Sequence, residues 1–335
     1  MLSHYPPMHG GIAAYADQLT ESLRQQGNEV TVASPEPSDA DLVLDVRARG
    51  AGTRLASLAR EHDRLIVQFH PEMLGPAGTS RLKRATALRR LVAGMRAAPS
   101  CEVCIHEVDY GEGPLAPLLR AVARRVWKLA DSITVHTERE RSDFAKAFRV
   151  EPDRIRVVSQ GAHMLRRVRD DRTEARAALN VPEDEALLLA IGILQPNKGF
   201  DRAIGAFARL APKQARLYVL GSIRPEDSTG SGYLAELRRL AEGTPGVELR
   251  AGYLSDEQFD RWIVAADALV LPYRRGWSSN VMERGLLYER PVIMSRVGGM
   301  AEQGTDRANV TLVGDDDELE DALREVLDAL PAMPR

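Results

Sequence analysis

Cysteine is nearly absent from this chain of 335 residues, which holds two. That excludes a disulfide framework and fits a reducing compartment. No apolar run reaches the roughly 18 residues of a bilayer-spanning helix. A surplus of basic charge is missing as well. Lys and Arg number 45 against 48 Asp and Glu, for a formal net charge of −3. A general nucleic-acid binder neutralises phosphates and is usually more basic, so no nucleic-acid partner is expected. Internal repeats and low-complexity segments are lacking. No G-x-G-x-x-G follows any strand candidate, which argues against a dinucleotide oxidoreductase. The opening Met1-Leu2-Ser3-His4-Tyr5-Pro6-Pro7 has neither the basic start nor the apolar core of a secretory signal, so a cytoplasmic place is expected.

What is present is ordinary for a folded chain: 44% hydrophobic and 28% charged residues, enough for a core in each of about two domains. Ile12, Tyr15, Ala16, Leu19 and Leu23 fall on one face of a helix, and Gly27-Asn28 closes it. Short apolar runs at 30–33, 65–69, 103–105, 133–135 and 155–158 read as strands. The second half repeats the habit at 187–191, 217–220, 268–271 and 292–294, with helical stretches at 201–210, 233–240, 256–265 and 280–288. Strands buried on both faces by crossover helices mark a parallel α/β sheet. A polar seam at 163–184, with a short helical piece at 173–179, divides the chain into domains 1–165 and 166–335. The expected fold is therefore α/β, with two doubly wound, Rossmann-like domains facing across a cleft. Pro6-Pro7 comes so early that the first strand should be short or truncated. Ligands of such sheets bind outside the carboxyl ends of the strands.

Four segments then carry a resemblance. Tyr5-Pro-Pro-Met-His-Gly-Gly-Ile-Ala, Val157-Val-Ser-Gln-Gly-Ala-His, Gly192-Ile-Leu-Gln-Pro-Asn-Lys-Gly-Phe-Asp and Arg275-Gly-Trp-Ser-Ser-Asn-Val-Met-Glu occur in this order over nearly the whole chain. The last is followed by Pro291-Val-Ile-Met-Ser and Gly298-Gly-Met-Ala-Glu. Together they resemble retaining glycosyltransferases of family 4 (group 1), which have the GT-B fold. The resemblance implies a metal-independent, hexosyltransferase-type transfer with no cofactor. The sugar would move from a nucleotide-diphosphate donor to a hydroxyl acceptor: a saccharide, a lipid-linked glycan of polysaccharide biosynthesis, or a natural product. The N-terminal domain would hold the acceptor and the C-terminal domain the nucleotide sugar.

The chemistry explains the residue types. Negative charge grows on the departing diphosphate, which calls for cations and free backbone N–H groups. Helix N-termini supply such donors with a favourable dipole. By resemblance, the donor-binding residues are Gly10, Gly11, Gly192, Lys198, Tyr253, Leu254, Ser278, Ser279, Asn280 and Glu283. Glu283 would bond the ribose hydroxyls. His106, Lys198 and Arg275 would act at the reacting centre, and His9 and His70 would line the acceptor side. Each has a plain alternative: a tight turn at Gly10-Gly11, a solvated lysine, an N-cap at Ser279, an exposed helix glutamate. Two departures from the family stand out. Ile193 occupies the place of a frequent arginine, and Arg275 that of the first glutamate of a pair ending at Glu283. Arg275 could replace the missing cation, or the chain could be a catalytically impaired nucleotide-sugar-binding homologue.

Cys101-Glu-Val-Cys104 has no second pair for a zinc site and runs into a strand, so packing is expected of it, and no metal. Asp315-Asp316-Asp317 precedes the last helix and reads as capping. The stretch 80–98 has six basic and no acidic residues, and 120–128 is basic around Trp127. They offer peripheral contact with an anionic inner membrane face, with a solvated helix face as the alternative.

Overall fold

The computed structural model describes residues 1–8, 10–76, 78–107, 116–223 and 228–330. The chain divides into one unit over Met1–His163 and a second over Met164–Arg335.

In the first unit the elements follow as α1 (Gly11–Gln25), β1 (Ala33–Ser34), β2 (Leu42–Val43), α2 (Ala51–Arg60), β3 (Leu65–Phe69), α3 (Arg81–Ala97), β4 (Cys101–Ile105), α4 (Ala116–Trp127), β5 (Ser132–Val135), α5 (Glu138–Phe148) and β6 (Ile155–Val157). Strands β3-β4-β5-β6 pair in parallel in that order, and β1 pairs with β2. Leu2 alone bridges the two sets, to Ala33 on one side and Val67 on the other. Among the described residues the first-strand position holds only these isolated bridges, in keeping with the short or truncated strand expected from Pro6-Pro7. The candidate strand at 30–33 begins its ladder only at Ala33. Val67, Val103 and Ile133 at the sheet centre are fully buried against α2, α3 and α5 through Leu55, Leu91 and Phe144. Each such burial contributes roughly 1.5–3 kcal/mol.

The second unit runs α6 (Arg172–Leu179), β7 (Ala186–Ile191), α7 (Phe200–Leu210), β8 (Ala215–Gly221), α8 (Ser228–Glu242), β9 (Val247–Ala251), α9 (Asp256–Ala265), β10 (Ala268–Leu271), α10 (Asn280–Leu287), β11 (Val292–Ser295), α11 (Met300–Gly304), β12 (Val310–Val313) and α12 (Asp316–Ala329). All neighbours are parallel in the order β12-β11-β10-β7-β8-β9. Counting the strands of this unit from its start, that is the doubly wound order 3-2-1-4-5-6, with its switch point between β7 and β10. The fully apolar runs of β7 and β10 are buried at every position, as central strands covered on both faces must be.

Two side chains illustrate how polar groups are accommodated. Arg176 of α6 is 1% exposed at its side chain, paired with Asp267 at 2.7 Å. It also donates to the carbonyls of Ala265, Pro182, Glu183 and Glu185. Asp315 caps α12, its Oδ1 accepting from Asp317 N at 3.1 Å and Glu318 N at 2.9 Å, which is the capping expected of the acidic run. Trp127 corrects an expectation. It is 4% exposed and packs edge-on to Phe69 beside Phe144 and Phe148, because the amphipathic helix α4 turns it to the core. It cannot serve as an interfacial anchor.

Candidate active site

In the second unit, two loops leave the sheet on either side of the switch point. The loop after β7 starts at Gly192, with φ +146°. It passes so close to the end of β8 that a Cβ on Gly221 would lie 1.6 Å from the Gly192 carbonyl oxygen. Only glycine permits that approach. Leu194 N donates to Ser222 O at 2.9 Å, and a 3₁₀ turn over Pro196–Lys198 follows. Gly199 then takes φ +65°, where a Cβ would meet the Pro272 carbonyl at 2.1 Å.

The second loop, after β10, is tied to the backbone of the first. The Asn197 carbonyl oxygen accepts from Arg274 N at 2.8 Å and Arg275 N at 3.4 Å. Lys198 and Arg275 are thereby brought to the same place. Lys198 Nζ lies 3.9 Å from the centroid of the buried Tyr273 ring, a cation–π contact. The two adjacent arginines differ in their engagements. Arg274 is bound to Asp201 through both guanidinium ends, at 2.8 and 2.5 Å, and to Pro196 O at 2.9 Å. Burial would raise the Asp201 carboxyl, but hydrogen bonds from Arg274 and Tyr233 outweigh it and hold it below its ordinary value. Arg275 is exposed and makes no ion pair among the described residues. It is the cation of the two that remains available to an anion.

Five residues further on, α10 begins. Ser279 is its N-cap, with Oγ accepting from Met282 N at 3.3 Å. Asn280 Nδ2 is buried with no hydrogen-bond partner among the described residues. Ser278 is half-buried just ahead of the cap. Gln303 braces this turn. Its Oε1 accepts from Ser279 N at 2.8 Å, and its Nε2 donates to Ser279 O at 3.2 Å and Glu283 Oε1 at 3.0 Å. Glu283 is 6% exposed, with Arg307 at 3.5 Å. This helix start therefore offers N–H donors beside an oriented carboxylate, a set suited to an anion next to hydroxyl groups. Tyr253 and Leu254 follow β9 at the sheet edge; Tyr253 is exposed and Leu254 packs on the core. Sequence reasoning did not find Asn197 and Gln303, because neither the carbonyl tie nor the brace leaves a signal in residue type.

In the first unit, histidines collect at the carboxyl ends of the strands. Gly10, φ +141°, precedes α1 and Gly11 opens it. His9 lies outside the described residues. His70 follows β3, buried, with its ring edge-on to His4 at 4.4 Å between centroids. His106 follows β4 with its ring turned inward: Nε2 lies 2.7 Å from Gln68 Oε1, and Nδ1 faces His136 Nε2 at 3.4 Å. His136 follows β5 in the same way, so the strand-end rule that picks out His70 and His106 picks it out too. The capping box of α5 fixes it: Glu140 Oε2 accepts from His136 N at 2.6 Å and Thr137 N at 3.1 Å, while Thr137 Oγ1 accepts from Glu140 N. Burial holds both imidazoles neutral. It pushes His106 well below its ordinary value, aided by His136 and His70, and lowers His136 to about 4.

Residues 9–164 match the family described as Glycosyltransferase Family 4, and residues 185–329 the family described as Glycosyl transferases group 1. Among curated relatives, D-inositol 3-phosphate glycosyltransferase 2 of Catenulispora acidiphila is 28% identical over 62% of this chain and 50% of its own length. The D-inositol 3-phosphate glycosyltransferase of Mycobacterium bovis is 30% identical over 61% of this chain and 42% of its own. The chain thus spans about half the length of the curated relatives it matches. Among solved structures, Anabaena HepE in complex with UDP-glucose superposes with a TM-score of 0.71 at 15% identity, covering 98% of this chain and 88% of that one. Sucrose-phosphate synthase of Thermosynechococcus elongatus also gives 0.71, at 18% identity over 98% and 86%. These two show a shared fold.

Proposed function

This chain belongs to the group 1, family 4 glycosyltransferases, and on that premise we propose that it moves a sugar from a nucleotide-diphosphate donor to a hydroxyl acceptor, with retention and without a metal ion in the reaction. The observation that carries the reading is the Asn197 tie, which delivers Lys198 and Arg275 together at the switch point. Two cations there match the charge that grows on a departing diphosphate. In this reading Gly192 lets the backbone approach the phosphates, and Ser278, Ser279 and Asn280 present the start of α10 to them. Glu283 takes the ribose hydroxyls, and Tyr253 and Leu254 stand by the base. Gly10 and Gly11 present the start of α1 to the donor, and His70, together with His9, serves the acceptor side. His106, which the resemblance gives to the reacting centre, has both ring nitrogens directed at Gln68 and His136, and in this reading it acts there as a positioning residue that holds the end of β4.

The names of the relatives suggest the probes. A thermal-shift series with UDP, GDP, ADP and their sugars should raise the midpoint for one base. Ligand at a hundred times its Kd adds about 2.7 kcal/mol. Transfer to phosphorylated polyols and saccharides follows with that donor. Failure of every nucleotide diphosphate to bind ends the proposal. Binding without turnover favours the impaired homologue, for which Arg275 in place of a carboxylate is the specific support.

Arg275→Ala tests the cation swap. A charge-assisted hydrogen bond is worth about 1.5–3 kcal/mol, so the donor Kd should rise roughly 10- to 100-fold by calorimetry. An unchanged Kd refutes the swap.

Among the described residues no helix is long and apolar enough to cross a membrane. We extend the proposal to a peripheral contact with an anionic inner membrane face. Its support is α3, where Arg81, Lys83, Arg89 and Arg96 are exposed next to Leu82, itself 79% exposed. Each such cation near the surface contributes about 1 kcal/mol. Co-sedimentation with phosphatidylserine vesicles should be strong at low salt; absence of binding removes this extension.

A further inference from the structure

Three side chains on one face of the first unit's sheet converge in a way that sugar transfer does not call for. Strand residues two apart share a face, which sets Cys104 beside His106. Cys104 of β4 stands opposite Thr134 of β5, so the parallel register carries His136 alongside His106. One ligand atom from each of Cys104, His106 and His136 lies within 4.8 Å of the others, and all three residues are buried. Tyr15 of α1 covers the group, its ring centroid 5.0 Å from that of His106 and 5.3 Å from that of His136.

The hydrogen bonds decide where the ring protons sit. His136 Nδ1 is 3.0 Å from the Val158 carbonyl oxygen, which can only accept. The proton is therefore on Nδ1, and Nε2 presents a lone pair. His106 Nε2 is 2.7 Å from the amide oxygen of Gln68, so its proton is on Nε2 and Nδ1 presents a lone pair. The two lone pairs confront each other across 3.4 Å, with Cys104 Sγ 3.8 Å from His136 Nε2. A cation between them removes that repulsion. Each imidazole also has the support typical of metal-binding histidines, an oxygen acceptor on the far nitrogen. The two spacings at His136 fit zinc. Bonds of about 2.0–2.1 Å to nitrogen and about 2.3 Å to sulfur, at a tetrahedral angle, give edges of about 3.3–3.4 Å between nitrogens and about 3.6 Å from nitrogen to sulfur.

We infer that Cys104, His106 and His136 form a three-ligand site for a single zinc-type cation, with the fourth tetrahedral position open. On binding, the thiol proton is released to solvent and the sulfur ligates as thiolate. Cys101, the other member of the C-x-x-C, takes no part, since three positions along a strand place it on the opposite face, in the α2–α3 core. The proposed transfer assigns this cation no step.

The rival arrangement turns the Gln68 amide over. Its N–H would then donate to His106 Nε2, and His106 Nδ1–H to His136 Nε2, making a metal-free row. That places the amide oxygen on the Met1 thioether, where Gln68 Nε2 now donates at 3.5 Å.

Cobalt separates the two. The full chain, stripped with a chelator, should take up one equivalent of Co²⁺ with a thiolate-to-cobalt charge-transfer band, and Zn²⁺ should displace it. Cys104→Ser should abolish the band and weaken binding by more than the roughly 10- to 100-fold typical of losing an outer-shell partner; Cys101→Ser should keep the band. Wild-type protein that binds no Co²⁺, or binds it without the thiolate band, overturns the site, as does a band that survives in Cys104→Ser. The wild-type arm decides the matter even if a variant fails to fold. Nucleotide-diphosphate binding measured on the same preparation keeps this result separate from the fate of the transfer proposal.

Discussion

Replacing Lys198 by alanine is expected to lower the transfer rate roughly 100- to 1,000-fold, the loss of about 2.7–4 kcal/mol seen when one preorganised donor to a developing negative charge is removed. The thermal midpoint should barely move. The backbone of the turn is held independently of the side chain, by Lys198 N on Gln195 O at 2.9 Å and by Arg274 and Arg275 on the Asn197 carbonyl. What the ammonium itself loses is its place over the Tyr273 ring, a contact worth about 0.5–1 kcal/mol where solvent reaches it. Steady-state transfer assays should show kcat falling more than KM rises, because the diphosphate gains charge on the way to the transition state. Lys198→Met is the companion variant, since it keeps the apolar stem. Wild-type rates in either variant would remove Lys198 from the reaction and, with it, the main support for the cation pair.

Arg176→Ala should have the opposite profile, a large loss of stability far from any proposed ligand. The guanidinium is buried among the Asp267 carboxylate and four carbonyl oxygens. Asp267 retains Arg172 at 2.9 Å and Leu187 N at 2.7 Å, but the carbonyls lose their donors in a site closed to water. Breaking one partner of a buried pair costs about 3–5 kcal/mol. For a unit of this size that lowers the melting transition by roughly 6–20 °C. Calorimetry should resolve the shift in the second unit's transition while that of the first stays put. A loss below about 1 kcal/mol would mean that the network reorganises around the gap.

Much of the fold could be read from residue order, for identifiable reasons. β3, β10 and α9 match the expected spans residue for residue. β10 is a continuous apolar run and β3 one interrupted only by Gln68, and Ser255 with Gln258 forms a capping box that fixes the helix start. The elements not anticipated include the helices α2, α5 and α11 and the edge strands β2, β9 and β12. β2 has two residues, and β9 reads Val-Glu-Leu-Arg-Ala with no position fully buried, so neither periodicity nor apolar run marks them. Their existence depends on the neighbour that pairs with them.

The candidate site was legible to the extent that it depends on single residues at element ends. Gly192, Lys198, Glu283, His70 and His106 are of that sort. What relates them was not. The engagement of Arg274 by Asp201, which leaves the cation role to Arg275, follows from which side chain the loop turns toward α7. The convergence of Cys104 with His136 needs the register of β4 against β5, a contact between positions 32 residues apart. Packing was expected of both cysteines, and the strand register sets Cys104 beside a histidine.

The Asn197 carbonyl has one more implication. Because the Asn197 and Pro196 peptide oxygens fasten both loops, the stretch between Gly192 and Gly199 cannot gain or lose a residue without unhooking Arg274 and Arg275 as well. Length variation in natural or engineered versions of this chain should therefore be tolerated beyond β9, around Tyr253, and selected against here. Grafting this loop onto another chain would require carrying Pro272 through Arg275 along with it.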